Sequence, residues 1–192
     1  MTNNFLKNID NTWTLFLDRD GVINKRIFGG YVTNPSEFEF LPGVLESLKY
    51  FSSFFYKIII ITNQQGVGKG IMTESQLTDL HKYMVNEINS NEGRADAVYY
   101  CTQLATTPNN CRKPSINMAE KAVADFPEIN LQKSIMVGDS QSDIEFGNNA
   151  GMKTIFITNK EGDILPKGLS NLEINNLHEL KTLIHSFKTS NT

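Results

Sequence analysis

The chain has 192 residues, 40% hydrophobic and 20% charged, with a formal net charge of −3. That length suits one ordinary domain with a sizeable core, and the mild negative charge excludes the broad basic surface that holds nucleic acid or an anionic membrane. No apolar run approaches a membrane span and Met1 to Thr12 is polar with no leader-like core, so a cytoplasmic protein is expected, with Cys101 and Cys111 as free thiols in the cell and a disulfide between them open to oxidised material.

Trp13 to Leu17 is an apolar, β-prone run, too short for a typical helix, that ends abruptly in Asp18-Arg19-Asp20-Gly21. It reads as a buried strand delivering carboxylates to its carboxyl end, where open α/β sheets bind ligands. A plain polar turn would look similar locally. An EF-hand would not, since the glycine comes two residues early and Gly29 stands where a Glu is needed.

Asn24 to Phe40 mixes turn residues with short alternation, as in a β-hairpin flap or ordered loop. Pro42-Gly43 opens a helix with Val44, Leu45, Leu48 and Phe51 on one face, and Lys57 to Asn63 is a second strand, apolar throughout like a parallel strand covered on both sides. Gln64 to Gly70 is not a Walker loop, because Asn63 and Gly70 occupy its Gly and Ser/Thr positions; it reads as a mobile glycine-rich loop rimming the site. Thr73 to Gln76 is a capping box that starts a long helix, with His81 as a surface or packing residue on it.

Further strands are expected at Asp96 to Cys101, Ser134 to Asp139 and Lys153 to Ile157. Helices are expected at Ser115 to Asp125, Ser140 to Ala150 and Leu177 to Phe187, and a disordered tail from Lys188 to Thr192. Alternating strands and helices imply one α/β domain, residues 1–192, built on a doubly wound parallel sheet.

Four of these strands end in polar or charged residues, and together they supply the parts of a phosphoryl-transfer site. Asp18 would attack phosphorus to form an aspartyl-phosphate, and Asp20 would protonate the leaving alcohol and then activate water. Mg²⁺ on Asp18, the Asp20 carbonyl and Asp139 would offset carboxylate–phosphate repulsion. Thr62 and Asn63 would donate to phosphate oxygens, Lys113 would supply a point charge, and Asp143 would support the metal shell or orient Lys113. Singly, each is an ordinary strand terminus, loop cation or helix cap; the ordered combination is what points to chemistry.

Phe16 to Asn24, Thr62-Asn63-Gln64, Cys111-Arg112-Lys113-Pro114 and Val137 to Asp143 resemble the four motifs of the haloacid dehalogenase (HAD) superfamily, and within it the histidinol-phosphatase and D,D-heptose 1,7-bisphosphate phosphatase group. The resemblance runs from about Leu15 to Ile157. It implies a Rossmann-like core without a large cap, Asp18 as nucleophile, Asp20 as acid/base, Thr62 and Lys113 as phosphate stabilisers, and Asp18, Asp20 and Asp139 as magnesium ligands. It also implies that Arg112, together with the flap and the loop Asn63, Gln64 and Gln65, contacts the substrate beyond the reacting phosphate, and Arg19 is expected to bind substrate as well. The group's structural zinc loop has Cys-x-His and Cys-x-Cys, where this chain has Gln103 and Asn109 in place of a His and a Cys, so zinc is expected to be absent.

For the substrate, a heptose 1,7-bisphosphate is expected, with histidinol phosphate or another small sugar or nucleotide phosphate as the alternative, and a non-catalytic phosphate-binding module on the same fold stays open as a different class. A heptose 1,7-bisphosphate would use Arg112, with Lys25 or Arg26, for its distal phosphate. Histidinol phosphate would instead call on Glu37 and Glu39. No coiled-coil seam is present in the sequence, and a monomer acting on a small phosphorylated molecule is expected.

Overall fold

The computed structural model of the chain describes residues 4–158 and 164–189. Six parallel strands, β1 (Thr14–Leu17), β2 (Lys57–Asn63), β3 (Ala97–Cys101), β4 (Ser134–Gly138), β5 (Lys153–Ile157) and β6 (Leu172–Ile174), form one sheet in the order β3-β2-β1-β4-β5-β6. The order reverses between β1 and β4, whose register pairs Leu17 with Val137. Asp18 and Asp139 therefore leave the sheet side by side at the topological switch point, where such folds bind ligands.

The central strands are apolar through their middles because both faces are covered. Leu15, Leu17, Ile58, Ile60, Ile135 and Val137 face one core, while Phe16, Ile59, Ile61 and Met136 face the other. The first core is closed by helices α1 (Val44–Ser52), α3 (Glu74–Ser90) and α6 (Leu177–Thr189), and the second by α4 (Asn117–Asp125) and α5 (Gln141–Asn149). Burying a large side chain on either face is worth roughly 1.5–3 kcal/mol, so exchanging the faces by a one-residue slip would be prohibitive.

Several local expectations change. Residues Asn4–Asn8 form a 3₁₀ helix that buries Leu6, with Ile9 buried just beyond it, so the polar-looking start of the chain contributes to the core. The flap hairpin is reduced to its base: Asn24 bridges Phe40, Lys25 N–H donates to Glu39 O at 2.8 Å and Leu41 N–H to Ile23 O at 2.9 Å. The rest of the flap is turns and a short 3₁₀ helix, Pro35–Glu37. The glycine-rich stretch is a short helix, α2 (Gln65–Gly68), not an open loop. Lys188 and Thr189 complete α6, while the remaining tail expected to be disordered, residues 190–192, lies outside the described residues.

Of the two states open to the cysteines, free thiols in the cell and a disulfide in oxidised material, the structure holds the second. Cys101 and Cys111 are joined by a disulfide, with Cα atoms 5.6 Å apart. Within the loop they close, Gln103 Oε1 accepts from Cys111 N–H at 2.8 Å and Asn110 Nδ2 donates to Thr107 O at 2.7 Å. No described helix is long and apolar enough to cross a membrane.

Candidate active site

A cavity of about 450 Å³ opens over the carboxyl ends of the central strands and is floored by Asp18, Asp20, Thr62, Lys113, Asp139 and Asp143. The turn after β1 makes the floor possible. Arg19 O accepts from Ile23 N–H at 2.8 Å and Asn24 N–H at 3.0 Å, and Gly21 N–H donates to Asn24 O at 2.7 Å, which curls the chain so that Asp18 and Asp20 reach the same cavity. Gly21 has φ +95°, and a Cβ there would come 2.0 Å from Asp139 Oδ2. Gly138 is equally constrained from behind, since a Cβ would lie 2.1 Å from the Asp143 Cβ.

Lys113 is the electrostatic centre. Its Nζ, 5% of the residue being exposed, lies 2.5 Å from Asp18 Oδ1, 2.5 Å from Asp143 Oδ1 and 2.8 Å from Ile61 O. Burial alone would push its pKa down, but the two carboxylates outweigh that and raise it, so the ammonium stays charged. Asp143 faces the other way as well, its Oδ2 accepting from Ser140 N–H at 3.0 Å and Ser140 Oγ–H at 2.6 Å at the start of α5.

Oxygens of Asp18, Asp139 and Asp143 lie within 4.8 Å of one another, all buried. Burial, with the neighbouring acids, pushes Asp18 up to about 8 against the pull of Lys113. Burial and Asp143 likewise push Asp139 up to about 6, although Arg26 Nη1 stands 3.4 Å away. Carboxylates packed so closely at neutral pH call for more positive charge than these side chains bring. An all-oxygen set suits a hard divalent cation, so the residues fit the magnesium expected of them.

Asp20 is held differently. Arg19 Nη2 lies 2.9 Å from Asp20 Oδ2 and 3.0 Å from Oδ1, Asn24 Nδ2 donates to Oδ1 at 3.0 Å, and Gln64 Nε2 to Oδ2 at 2.8 Å. Burial works to raise this carboxyl, but the Arg19 charge and the three sets of donors win and hold it below the usual range.

The residues expected to bind substrate divide in two. Gln65 and Arg112 line the cavity, and Arg112 Nη1 is buried without a hydrogen-bond partner. Asn63 touches the cavity but spends both ends on the backbone of Lys113, accepting its N–H at 3.0 Å and donating to its carbonyl at 3.3 Å. Gln64 and Arg19, each 1% exposed, turn inward to Asp20. Gln64 also donates to Thr62 Oγ1 at 2.8 Å, which leaves the Thr62 hydroxyl hydrogen to donate into the cavity.

On the flap, Lys25 points away, pairing with Glu39 at 3.4 Å, and Glu37 accepts from Thr33 N–H at 2.8 Å; none of the three lines the cavity. Arg26 does, as do Tyr31 and Lys69, which stack at 5.4 Å from Nζ to ring centroid. Lys69 lies in the glycine-rich stretch expected to rim the site, whereas nothing local in the sequence distinguishes Tyr31. Of the two readings of His81, surface or packing, the second holds: the ring is buried, 6% exposed, with Nε2 3.1 Å from Arg19 Nη1.

Comparison with known proteins bears on this geometry. A family model of HAD-hydrolase-like proteins matches residues 110–165. The D-glycero-alpha-D-manno-heptose-1,7-bisphosphate 7-phosphatase of Campylobacter jejuni is 37% identical over 175 residues, covering 90% of this chain and 99% of that protein. The D-glycero-beta-D-manno-heptose-1,7-bisphosphate 7-phosphatase of Helicobacter pylori is 38% identical over 140 residues, or 72% of this chain and 79% of that protein. In fold, the chain matches the crystal structure of D,D-heptose 1.7-bisphosphate phosphatase from B. bronchiseptica complexed with magnesium and phosphate, with a TM-score of 0.79 at 23% identity over 91% of this chain and 98% of that one.

Proposed function

Because the chain belongs to the heptose-1,7-bisphosphate 7-phosphatase family of HAD-like hydrolases, we propose that this phosphatase removes the 7-phosphate of a D-glycero-D-manno-heptose 1,7-bisphosphate. The observation that carries the choice of substrate is the charge of the cavity. Its acids, Asp18, Asp20, Asp139 and Asp143, all sit on the floor, while the walls present Arg26, Lys69 and Arg112. A second phosphate suits such walls, and the partnerless Arg112 nitrogen offers it a donor. Histidinol phosphate would bring an ammonium and an imidazole instead, and Glu37 and Glu39 do not line the cavity to receive them.

In this reading Asp18 attacks phosphorus, the bond to the sugar oxygen breaks, and the departing alkoxide takes a proton from Asp20. Water then attacks the aspartyl-phosphate as Asp20 takes its proton, releasing phosphate and restoring Asp18. The donors around Asp20 favour its ionised form in the resting site, which suits the second half. For the first half it must gain a proton as the phosphate dianion arrives and raises its pKa. Lys113 and the Thr62 hydroxyl hold the phosphate oxygens, and Asn63 fixes the Lys113 backbone that aims the ammonium. Asp18, Asp139 and the Asp20 carbonyl would hold magnesium, with Asp143 supporting. When bound, the ion would neutralise charge between carboxylate and phosphate.

We take the protein to be a cytoplasmic monomer of one domain, without nucleic-acid or membrane partners and without zinc. Sulfurs joined to each other are not thiolate ligands, and the remaining side chains at those positions are amides. The test is kcat/KM for a heptose 1,7-bisphosphate against histidinol phosphate in one magnesium buffer. We expect the bisphosphate to be preferred; a preference of about tenfold or more for histidinol phosphate, about 1.4 kcal/mol in transition-state binding, would refute the assignment.

A further inference from the structure

Helix α3 brings a histidine to the back of the site, where no step of the reaction touches it. His81 Nε2 lies 3.1 Å from Arg19 Nη1, and the ring packs 5.3 Å from that of Tyr100. A guanidinium has no acceptor, so Nε2 must present its lone pair and the imidazole must be neutral. Burial, followed by the Arg19 charge, supports that state by pushing the His81 pKa down to about 3.

Arg19 is itself 1% exposed, and its Nε has no hydrogen-bond partner. Its two anchors are therefore at the fork: Nη1 on His81, and Nη2 on both oxygens of Asp20, at 2.9 and 3.0 Å. A single contact through Nη2 would leave the guanidinium free to rotate about its long, flexible stem. A second contact from another element fixes its plane. Asn24 and Gln64 steady Asp20 from the turn after β1 and the end of β2. His81 adds a support from a helix that otherwise serves the core.

We propose that His81 is a positioning residue for proton transfer: it accepts from Arg19 so that the fork holds the Asp20 carboxyl aimed at the leaving oxygen. This rests on the reading of Asp20 as the proton-transfer group. A histidine kept only for packing would, on removal, lower the amount of folded protein and treat all substrates alike.

Leaving groups separate the two cases. An alkoxide needs the proton from Asp20 and p-nitrophenolate does not, and kcat/KM reports only the steps through departure of the alcohol. The experiment measures kcat/KM for an alkyl phosphate and for p-nitrophenyl phosphate in wild type, Asp20→Asn, His81→Leu and His81→Gln. The ratio between esters does not depend on how much protein is folded. We expect the alkyl-to-aryl ratio to fall by roughly tenfold or more in His81→Leu, a milder form of the Asp20→Asn pattern, given that general acid help is worth about 10²–10⁴-fold. In His81→Gln an amide oxygen can stand near the position of Nε2, and the ratio should return to within about threefold of wild type. An unchanged ratio in His81→Leu, or a Gln variant as impaired as the Leu variant, would overturn the proposal while leaving the role of Asp20 intact. A ratio unmoved in Asp20→Asn would sink that role, and this inference with it.

Discussion

Lys113 keeps Asp18 and Asp143 together, at 2.5 Å from each, and in the proposed mechanism the same charge meets the phosphate oxygens. Replacing it by Met would leave two buried carboxylates without their cation, and breaking a buried pair in this way costs about 3–5 kcal/mol. The pH dependence follows from the direction of the shift. The folded-state pKa of Asp18 is raised, to about 8, so its stabilising proton is in place at low pH and is lost as pH rises through that value. In wild type Lys113 offsets the charge that appears; in Lys113→Met nothing does. Urea unfolding in chelator should therefore show a stability gap between the two proteins that stays level at acid pH and widens as pH rises through about 8. A gap that narrows over this range would mean that Lys113 does not compensate these acids.

At the scale of the element, the turn after β1 carries more of the function than its length suggests. It delivers Asp18 and Asp20, and its Gly21 occupies space that any Cβ would contest with Asp139. Gly21→Ala must either move Asp139 or open the turn, and a left-handed backbone at a non-glycine residue adds about 1–3 kcal/mol of strain. We expect turnover to fall by about tenfold or more, each about 1.4 kcal/mol of barrier, together with a higher magnesium requirement. A variant with wild-type turnover and wild-type magnesium dependence would show that the close approach of Gly21 to Asp139 is not needed. The turn was legible because the signals lie together: an apolar run, two acids and a glycine within nine residues from Trp13 to Gly21. The flap was less so, since its alternation around Phe38 and Phe40 mimics a strand, while the turns at Gly29-Gly30 and Pro35 interrupt the pairing.

Across the whole molecule, what could be read in advance was what repeats locally. β1, β2, β4 and β5 are runs of residues buried on both faces, and the polar residues at the ends of β1, β2 and β4 marked the edge where Asp18, Thr62 and Asp139 meet. β6 escaped because Leu172-Glu173-Ile174 is three residues long and alternates like many loops. The inward turn of Arg19 and Gln64, and the contact of Arg19 with His81 62 residues away, leave no local trace; they exist only once α3 is packed against the sheet. The bond between Cys101 and Cys111 was likewise a matter of where β3 ends and where the Arg112-Lys113 loop returns.

In the proposed mechanism this architecture serves one chemical event, transfer of the phosphoryl group to Asp18, and such an event can be trapped. The enzyme turning over a heptose 1,7-bisphosphate with magnesium is quenched in acid, treated with borohydride, which reduces an acyl phosphate to an alcohol, and digested for peptide mass spectrometry. The account predicts homoserine in place of Asp18 and unmodified aspartate at positions 20, 139 and 143. Reduction at any other acid, or none at position 18 while phosphate is being released, would contradict it.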